Sequence, residues 1–171
     1  AWAGALLAMT PLSAHAAPDP ALAKAVLLTS IAFRTVEGAG QVPALAAYYA
    51  SVLRQAGYGQ ADIEITPMGE TATLAATLRG ADPTLKPLLM IGHMDVVVAD
   101  RADWARDPFV PVEEKGYIFG RGAEDNKYDV AMMIATLAGL KREGWRPRRT
   151  VILLLSGDEE TAMRTTRAAR R

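Results

Sequence analysis

Residues 151–160 read VILLLSGDEE, five apolar residues followed by serine, glycine and three acidic residues. A short continuous apolar run predicts a β-strand that is covered on both faces. Residues 88–95 read LLMIGHMD and repeat the pattern, with a histidine and an aspartate after the apolar part. Because ligands collect at the carboxyl ends of strands in open α/β sheets, both polar segments are expected where binding sites form.

The segments around these two strands predict an α/β fold, a layered mixed sheet flanked by helices. Apolar residues three and four apart indicate helices, and alternating or short apolar segments indicate further strands. The predicted helices cover residues 21–33, 41–56 and 129–142, and the additional strands cover 62–66, 71–79 and 117–119. Residues 99–116 are rich in aspartate and proline and predict a loop. Nothing in the pattern indicates a second domain.

The composition excludes several classes of protein. The 171 residues contain 19 Lys and Arg and 19 Asp and Glu, so the formal net charge is zero. A balanced charge argues against a nucleic-acid partner or a polybasic membrane-surface protein. The chain has no cysteine and two histidines, His15 and His93. Disulfide frameworks, thiolate metal sites and cysteine nucleophiles are therefore excluded.

The first 17 residues are apolar and uncharged, and Ala14-His15-Ala16 fits the small-x-small pattern before a signal-peptidase cut. We expect residues 1–16 to be a partial signal peptide, so that the protein is exported to the periplasm or secreted. The alternative is an apolar N-terminal helix, which Pro11 and Pro18 disfavour. No later apolar run reaches the roughly 18 residues that span a bilayer, so no membrane contact is expected of the mature form.

His93 and Asp95 follow the strand at 88–91 and are two residues apart. Residues two apart on an extended strand point to the same side, so Asp95 could accept a hydrogen bond from one imidazole nitrogen. The other nitrogen would then be oriented to bind a metal ion. The alternative is an ordinary satisfied histidine with an aspartate nearby by chance.

Glu159 and Glu160 follow the strand at 151–155. Adjacent carboxylates repel each other unless a cation or separate roles relieve the repulsion. One could bind a metal ion while the other acts as a general base. The alternative is an acidic helix N-terminus, which is common. Asp125 lies between the two strands in sequence, just before the strongest predicted helix, where it would face the same sheet edge.

Three blocks in this order resemble the M20 family of zinc metallopeptidases: GHMDVV (92–97), WARDPFVPVEEKGYIFGRGAEDNK (104–127) and LLLSGDEET (153–161). That family includes glutamate carboxypeptidases, succinyl-diaminopimelate desuccinylases, acetylornithine deacetylases and aminoacylases. The resemblance runs from about residue 25 to residue 166. It implies a phosphorylase/hydrolase-like zinc peptidase catalytic domain that cleaves a peptide or N-acyl-amino-acid amide bond.

The resemblance also implies residue roles. His93 would bind one zinc ion, Glu160 a second, and Asp125 both; Co²⁺ or Mn²⁺ could replace zinc. Asp95 would orient His93, and Glu159 would be the general base in an exopeptidase or deacylase reaction.

The resemblance implies parts that residues 17–171 lack: a dimerisation domain, another acidic ligand and a late histidine. We therefore interpret 17–171 as the N-terminal part of a truncated M20 catalytic domain, and expect the complete protein to form a homodimer. Each zinc would keep only two of its ligands, so weak binding and no turnover are expected of this chain. The rival interpretation is a non-catalytic remnant, or pseudoenzyme, with a weak metal or peptide site. A phosphate-binding module on Gly120–Gly122 is a weak third, since its spacing matches neither common phosphate motif.

Overall fold

Six strands and four helices make up the described part of the chain. The computed structural model describes residues 19–168. In chain order the elements are α1 (Pro20–Ala32), α2 (Val42–Gln55), β1 (Ile63–Met68), β2 (Thr71–Leu78), β3 (Leu88–His93), β4 (Val112–Glu114), β5 (Tyr117–Phe119), α3 (Lys127–Arg142), β6 (Val151–Ser156) and α4 (Arg164–Ala168). Single 3-10 turns lie at Gln60–Asp62 and Arg101–Asp103.

The main sheet has the strand order β1-β2-β6-β3. β1 pairs with β2 and β2 with β6 in antiparallel orientation, whereas β3 and β6 run parallel. In that parallel pair His93 lies opposite Ser156, the last residue of each strand. The residues that follow β3 and β6 therefore leave the sheet at the same edge, as the sequence predicted. β4 and β5 form a separate hairpin.

Helices α1 and α3 pack on each other, and α2 packs against β2. The apolar stripe of α2 is buried at Leu45, Tyr49 and Leu53. It joins one core with side chains from the sheet and from the other helices, among them Ile31, Leu74, Ile134, Leu153 and Leu155. Burial of these side chains is the main favourable term that holds the helices on the sheet.

The predicted α/β class, a mixed sheet flanked by helices, is confirmed. The predicted helices and strands all form, with ends shifted by one or two residues. The prediction of a loop throughout 99–116 was wrong at Val112–Glu114, which form strand β4. Its sequence, Val-Glu-Glu, has a single apolar residue and therefore lacks the apolar pattern that indicates a strand. The prediction that residues 88–91 are covered on both faces was wrong. Within the described sheet β3 is one of the two edge strands, and Leu88, Leu89 and Ile91 are 50%, 50% and 60% exposed.

The predicted signal peptide, residues 1–16, lies outside the described residues. In residues 19–168 no helix combines the length and the apolar character needed to cross a membrane.

Candidate metal centre

His93 ends β3, and its ring lies between oxygen atoms on both sides. Nδ1 is 3.1 Å from the main-chain oxygen of Asp95 and 3.5 Å from Asp95 Oδ1. Nε2 is 3.0 Å from Asp125 Oδ1 and 3.9 Å from Glu159 Oε2. Burial by itself lowers the pKa of His93, but the hydrogen bonds and charge of Asp95, with the charge of Glu159, raise the pKa to about 9. The site therefore favours a positive charge at Nε2, from a proton or from a metal ion.

Asp95 is buried and joins the ends of the two parallel strands. Its Oδ1 accepts a hydrogen bond from the main-chain N–H of Glu159 at 3.1 Å, and its Oδ2 accepts one from that of Glu160 at 2.9 Å. From the sequence, the Asp95 carboxylate was predicted to accept a hydrogen bond from the His93 ring. In the structure that carboxylate holds the Glu159–Glu160 backbone, while the shorter contact of the ring is with the Asp95 main chain.

Glu159 and Glu160 lie in the turn between β6 and α4. One ligand atom from each of His93, Glu159 and Glu160 can be chosen so that all three lie within 4.8 Å of one another. Burial raises the pKa of Glu160, and the negative charges of Asp125, Asp95 and Glu159 raise it further, against an opposing contribution from His93. Relief of this repulsion is what a bound cation would supply.

Asp158 differs from its two acidic neighbours because it caps α4. Its Oδ2 accepts from the N–H of Arg164 at 2.8 Å, and its Oδ1 accepts from the N–H of Thr165 at 2.9 Å and from the Thr165 hydroxyl. Burial opposes ionisation of Asp158, but these hydrogen bonds and the Arg164 charge hold its pKa below the usual range. The alternative interpretation of Glu159 and Glu160 was an acidic helix N-terminus. In the structure Asp158 has that role.

Asp125 lies two residues before the start of α3, and its side chain is 74% exposed. It contacts His93 but is not a member of the compact group of His93, Glu159 and Glu160. Its neighbour Asn126 accepts a hydrogen bond from the main-chain N–H of His93 through Oδ1, at 3.1 Å, and donates from Nδ2 to Asp129 at 3.0 Å. A Cβ on Gly92 would lie 3.0 Å from Asn126 Oδ1, so the glycine permits this close approach.

Two residues near the site were missed by sequence reasoning, Asn126 and Lys127. Asn126 directly follows a predicted ligand, which is the only signal that could have indicated it. Lys127 is fully buried, and its ammonium donates to the main-chain oxygens of Ser30 and Phe33 at 2.8 and 2.7 Å. Burial lowers the pKa of Lys127 to about 7, against a smaller opposing effect of Asp95. Nothing in the sequence distinguishes it from a surface lysine.

The donor set suits a divalent metal ion. It offers one imidazole nitrogen and carboxylate oxygens, which are the ligand types that zinc accepts in proteins. The described residues thus form a partial ligand group at the edge where β3 and β6 end. The fold is a mixed α/β sheet, and this group lies where its two parallel strands end. The class of protein is therefore a candidate metal-binding α/β domain.

Comparison with known proteins gives a family match for part of the chain. Residues 89–170, just under half of the chain, match the model of "Peptidase family M20/M25/M40". This match begins within β3 and includes His93, Asp125, Glu159 and Glu160. This part of the chain is therefore similar to the M20 family of peptidases, as the three sequence blocks indicated.

Curated relatives are similar to the chain in sequence, and a solved structure is similar to it in fold. The chain is 35% identical to aminoacylase-1 of Homo sapiens over 128 residues, which are 74% of this chain and 31% of that protein. It is also 38% identical to the N-fatty-acyl-amino acid synthase/hydrolase PM20D1 of Mus musculus. That match covers 86 residues, which are 50% of this chain and 17% of that protein. The fold matches the crystal structure of human carnosine dipeptidase 1 with a TM-score of 0.72 and 24% identity, over 86% of this chain and 34% of that one. The chain thus spans about a third or less of the length of these relatives.

Proposed function

We propose that this chain is part of a metal-dependent hydrolase that cleaves the amide bond of a peptide or an N-acyl-amino acid. The observation that carries the proposal is the group of His93, Glu159 and Glu160 at the joined ends of two parallel strands. The family assignment and the names of the relatives support the reaction class and the substrate class.

His93, Asp125 and Glu160 would hold the metal, with zinc as the proposed ion. When bound, it supplies Lewis-acid chemistry, polarising the substrate carbonyl and lowering the pKa of water. Glu159 would accept the proton of the attacking water and pass it to the leaving amine. Asp95 would keep Glu159 and Glu160 in place through its two hydrogen bonds to their backbone.

The number of ligands supports a further part of the proposal. If two metal ions shared Asp125, one ion would have His93 and Asp125 as ligands, and the other would have Asp125 and Glu160. Each ion would then have two protein ligands from this chain. Zinc sites normally use three or four protein ligands. We therefore propose that the 171-residue chain binds zinc weakly and does not turn over substrate by itself. A full hydrolytic rate from the purified, zinc-loaded chain would contradict this.

A chimera tests the hydrolase proposal, with the aligned 128 residues of this chain replacing the matching segment of human aminoacylase-1. We expect the zinc-loaded chimera to hydrolyse an N-acyl-amino acid. Glu159→Gln in the chimera should lower kcat at least about 100-fold with zinc content unchanged, since general-base catalysis contributes 10²–10⁴-fold. Glu64→Gln is the matched control, because Glu64 is exposed on β1 at the far side of the sheet.

The rival function is a non-catalytic remnant with a weak metal or peptide site. A folded, zinc-loaded chimera without activity would favour it, and full activity of the Glu159→Gln chimera would contradict the base role.

Export is a separate proposal that rests only on the apolar stretch at residues 1–17. Sequencing the N-terminus of the protein recovered from the periplasm or the medium tests it, with cleavage after Ala16 as the expected result.

A further inference from the structure

Lys127 connects two helices next to the candidate metal centre. It is the first residue of α3, and its ammonium donates to the oxygens of Ser30, in the last turn of α1, and Phe33, which follows α1. The last carbonyls of a helix lack partners within the helix and carry its negative dipole end. Both oxygens also accept a main-chain N–H, that of Ser30 from Phe33 at 3.1 Å and that of Phe33 from Thr35 at 2.9 Å. The lysine therefore adds a second donor to each oxygen at the end of α1, from a position two residues after Asp125.

The chain after α1 is also attached to the segment that carries His93 and Asp95. The Thr35 hydroxyl donates to the main-chain oxygen of Met94 at 2.8 Å, and the N–H of Val96 donates to the oxygen of Thr35 at 3.2 Å. Thus the end of α1 contacts both sides of the site, the β3 side through Thr35 and the α3 side through Lys127.

Close packing fixes the stem of the lysine. The main-chain N–H of Lys127 donates to the oxygen of Gly122 at 3.2 Å. A Cβ on Gly122 would lie 3.0 Å from Lys127 Cδ and 2.8 Å from Val96 Cγ1. Gly122 thus lies between the stem of Lys127 and the segment that follows His93, with no free space for a side chain on the glycine.

We propose that Lys127 is a positioning residue, which fixes Asp125 and Asn126 against His93 by anchoring the start of α3 to the end of α1. An ammonium is costly to bury, and a lysine is seldom fully buried without partners. Its partners here are two backbone oxygens, which define a position in space. The effect on metal binding rests on the proposed function; the effect on the loop geometry does not.

The first experiment needs no metal. Exchange of the His93 amide hydrogen reports its bond to Asn126 Oδ1, and NMR on the chelator-treated 171-residue chain measures its rate. Lys127→Met should raise this rate at least about tenfold, because Asn126 loses its fixed position. Lys141→Met is the matched control: Lys141 is in the last turn of the same helix, over the Tyr58 ring, and the rate should not change.

The second experiment titrates Co²⁺, whose visible absorption reports ligand geometry. Lys127→Met should weaken Co²⁺ binding by about 10-fold or more, the usual effect of removing a residue that orients ligands, and change the absorption spectrum. Lys141→Met should match the unaltered chain in both.

Chemical rescue separates positioning from general packing. The chain has no cysteine, so Lys127→Cys introduces a unique thiol. Alkylation with 2-bromoethylamine restores an ammonium at nearly the length of lysine, whereas iodoacetamide adds a neutral amide. Only the ammonium form should restore slow His93 exchange and Co²⁺ affinity. These two forms carry the comparison if Lys127→Met does not fold.

The positioning role would be overturned if Lys127→Met left the His93 exchange rate and the Co²⁺ affinity unaltered. It would also be overturned if both alkylating reagents rescued Lys127→Cys equally. If no form binds Co²⁺ while His93 exchange rises only in the Lys127 variants, the positioning role stands and the proposed function fails.

Discussion

Strands β3 and β6 have similar sequences but different environments. β6 is central in the described sheet, with Leu153 and Leu155 fully buried, whereas β3 is an edge strand and exposes Leu89 and Ile91. The end of β3 and the segment that follows β6 nevertheless contribute to one cluster, which consists of His93, Glu159 and Glu160. The cluster depends on the parallel pairing of the two strands, which ends both at the same edge, and on Asp95, which ties the two segments together after they leave the sheet.

The largest expected difference between the strands is in stability. Leu153→Ala should lower the free energy of unfolding by about 2–5 kcal/mol, because it leaves a cavity in the core. Leu89→Ala should lower it by less than about 1 kcal/mol, since half of Leu89 is already exposed. Urea unfolding of both variants measures this. Equal losses would contradict the exposure of Leu89 on β3.

The end of β3 should also give the fold a pH dependence. The folded pKa of His93, about 9, exceeds its ordinary value of 6.5. The chelator-treated chain should therefore gain up to about 3 kcal/mol from His93 below pH 6.5, and lose it as the pH rises through 9.

Unfolding at pH 6 and pH 9.5, compared between the chain and His93→Gln, isolates this effect. The comparison is needed because Lys127, with its lowered pKa, acts in the opposite direction between about pH 7 and 10.5. A difference between the two proteins that does not vary with pH would refute the raised pKa of His93.

The link between the strand ends is Asp95, and Asp95→Asn should weaken zinc binding by about 10–100-fold. An amide supplies only one acceptor oxygen for the two N–H groups of Glu159 and Glu160. Competition with a chromophoric chelator gives the affinities. Asp158→Asn is the control and should leave zinc affinity unchanged, because that carboxylate caps α4.

The smallest expected effect is a change in stability at the face of β3 that packs against α3. Gly92→Ala should lower stability by about 1 kcal/mol, because its Cβ would lie 3.0 Å from both Asn126 Oδ1 and Met133 Cε. Gly139→Ala in α3 should instead raise stability by about 0.5–1 kcal/mol, since its Cβ would meet no atom within 4 Å apart from its chain neighbours and the backbone of its own helix. Thermal unfolding of the two variants distinguishes the signs; a neutral Gly92→Ala would argue against close packing of α3 on β3.

The sequence predicted the elements well because apolar spacing and turn residues are local signals. The positions of His93, Glu159 and Glu160 at strand ends followed from the same signals. The exposure of β3 could not be predicted, since strand order is a property of the whole sheet. The hydrogen bonds of Asp95, Asn126 and Lys127 depend on which main-chain atoms tertiary packing brings near them, and spacing along the chain carries no information about that.

Zinc titration of the purified 171-residue chain, by competition with a chromophoric chelator, tests most directly whether the ends of β3 and β6 form a metal site. We expect measurable binding that falls at least about 100-fold in Glu160→Gln, since loss of a ligand should exceed the effect of losing an orienting residue. Glu64→Gln, on the far strand of the sheet, should bind as the unaltered chain does. Equal affinity in Glu160→Gln and Glu64→Gln would contradict the account.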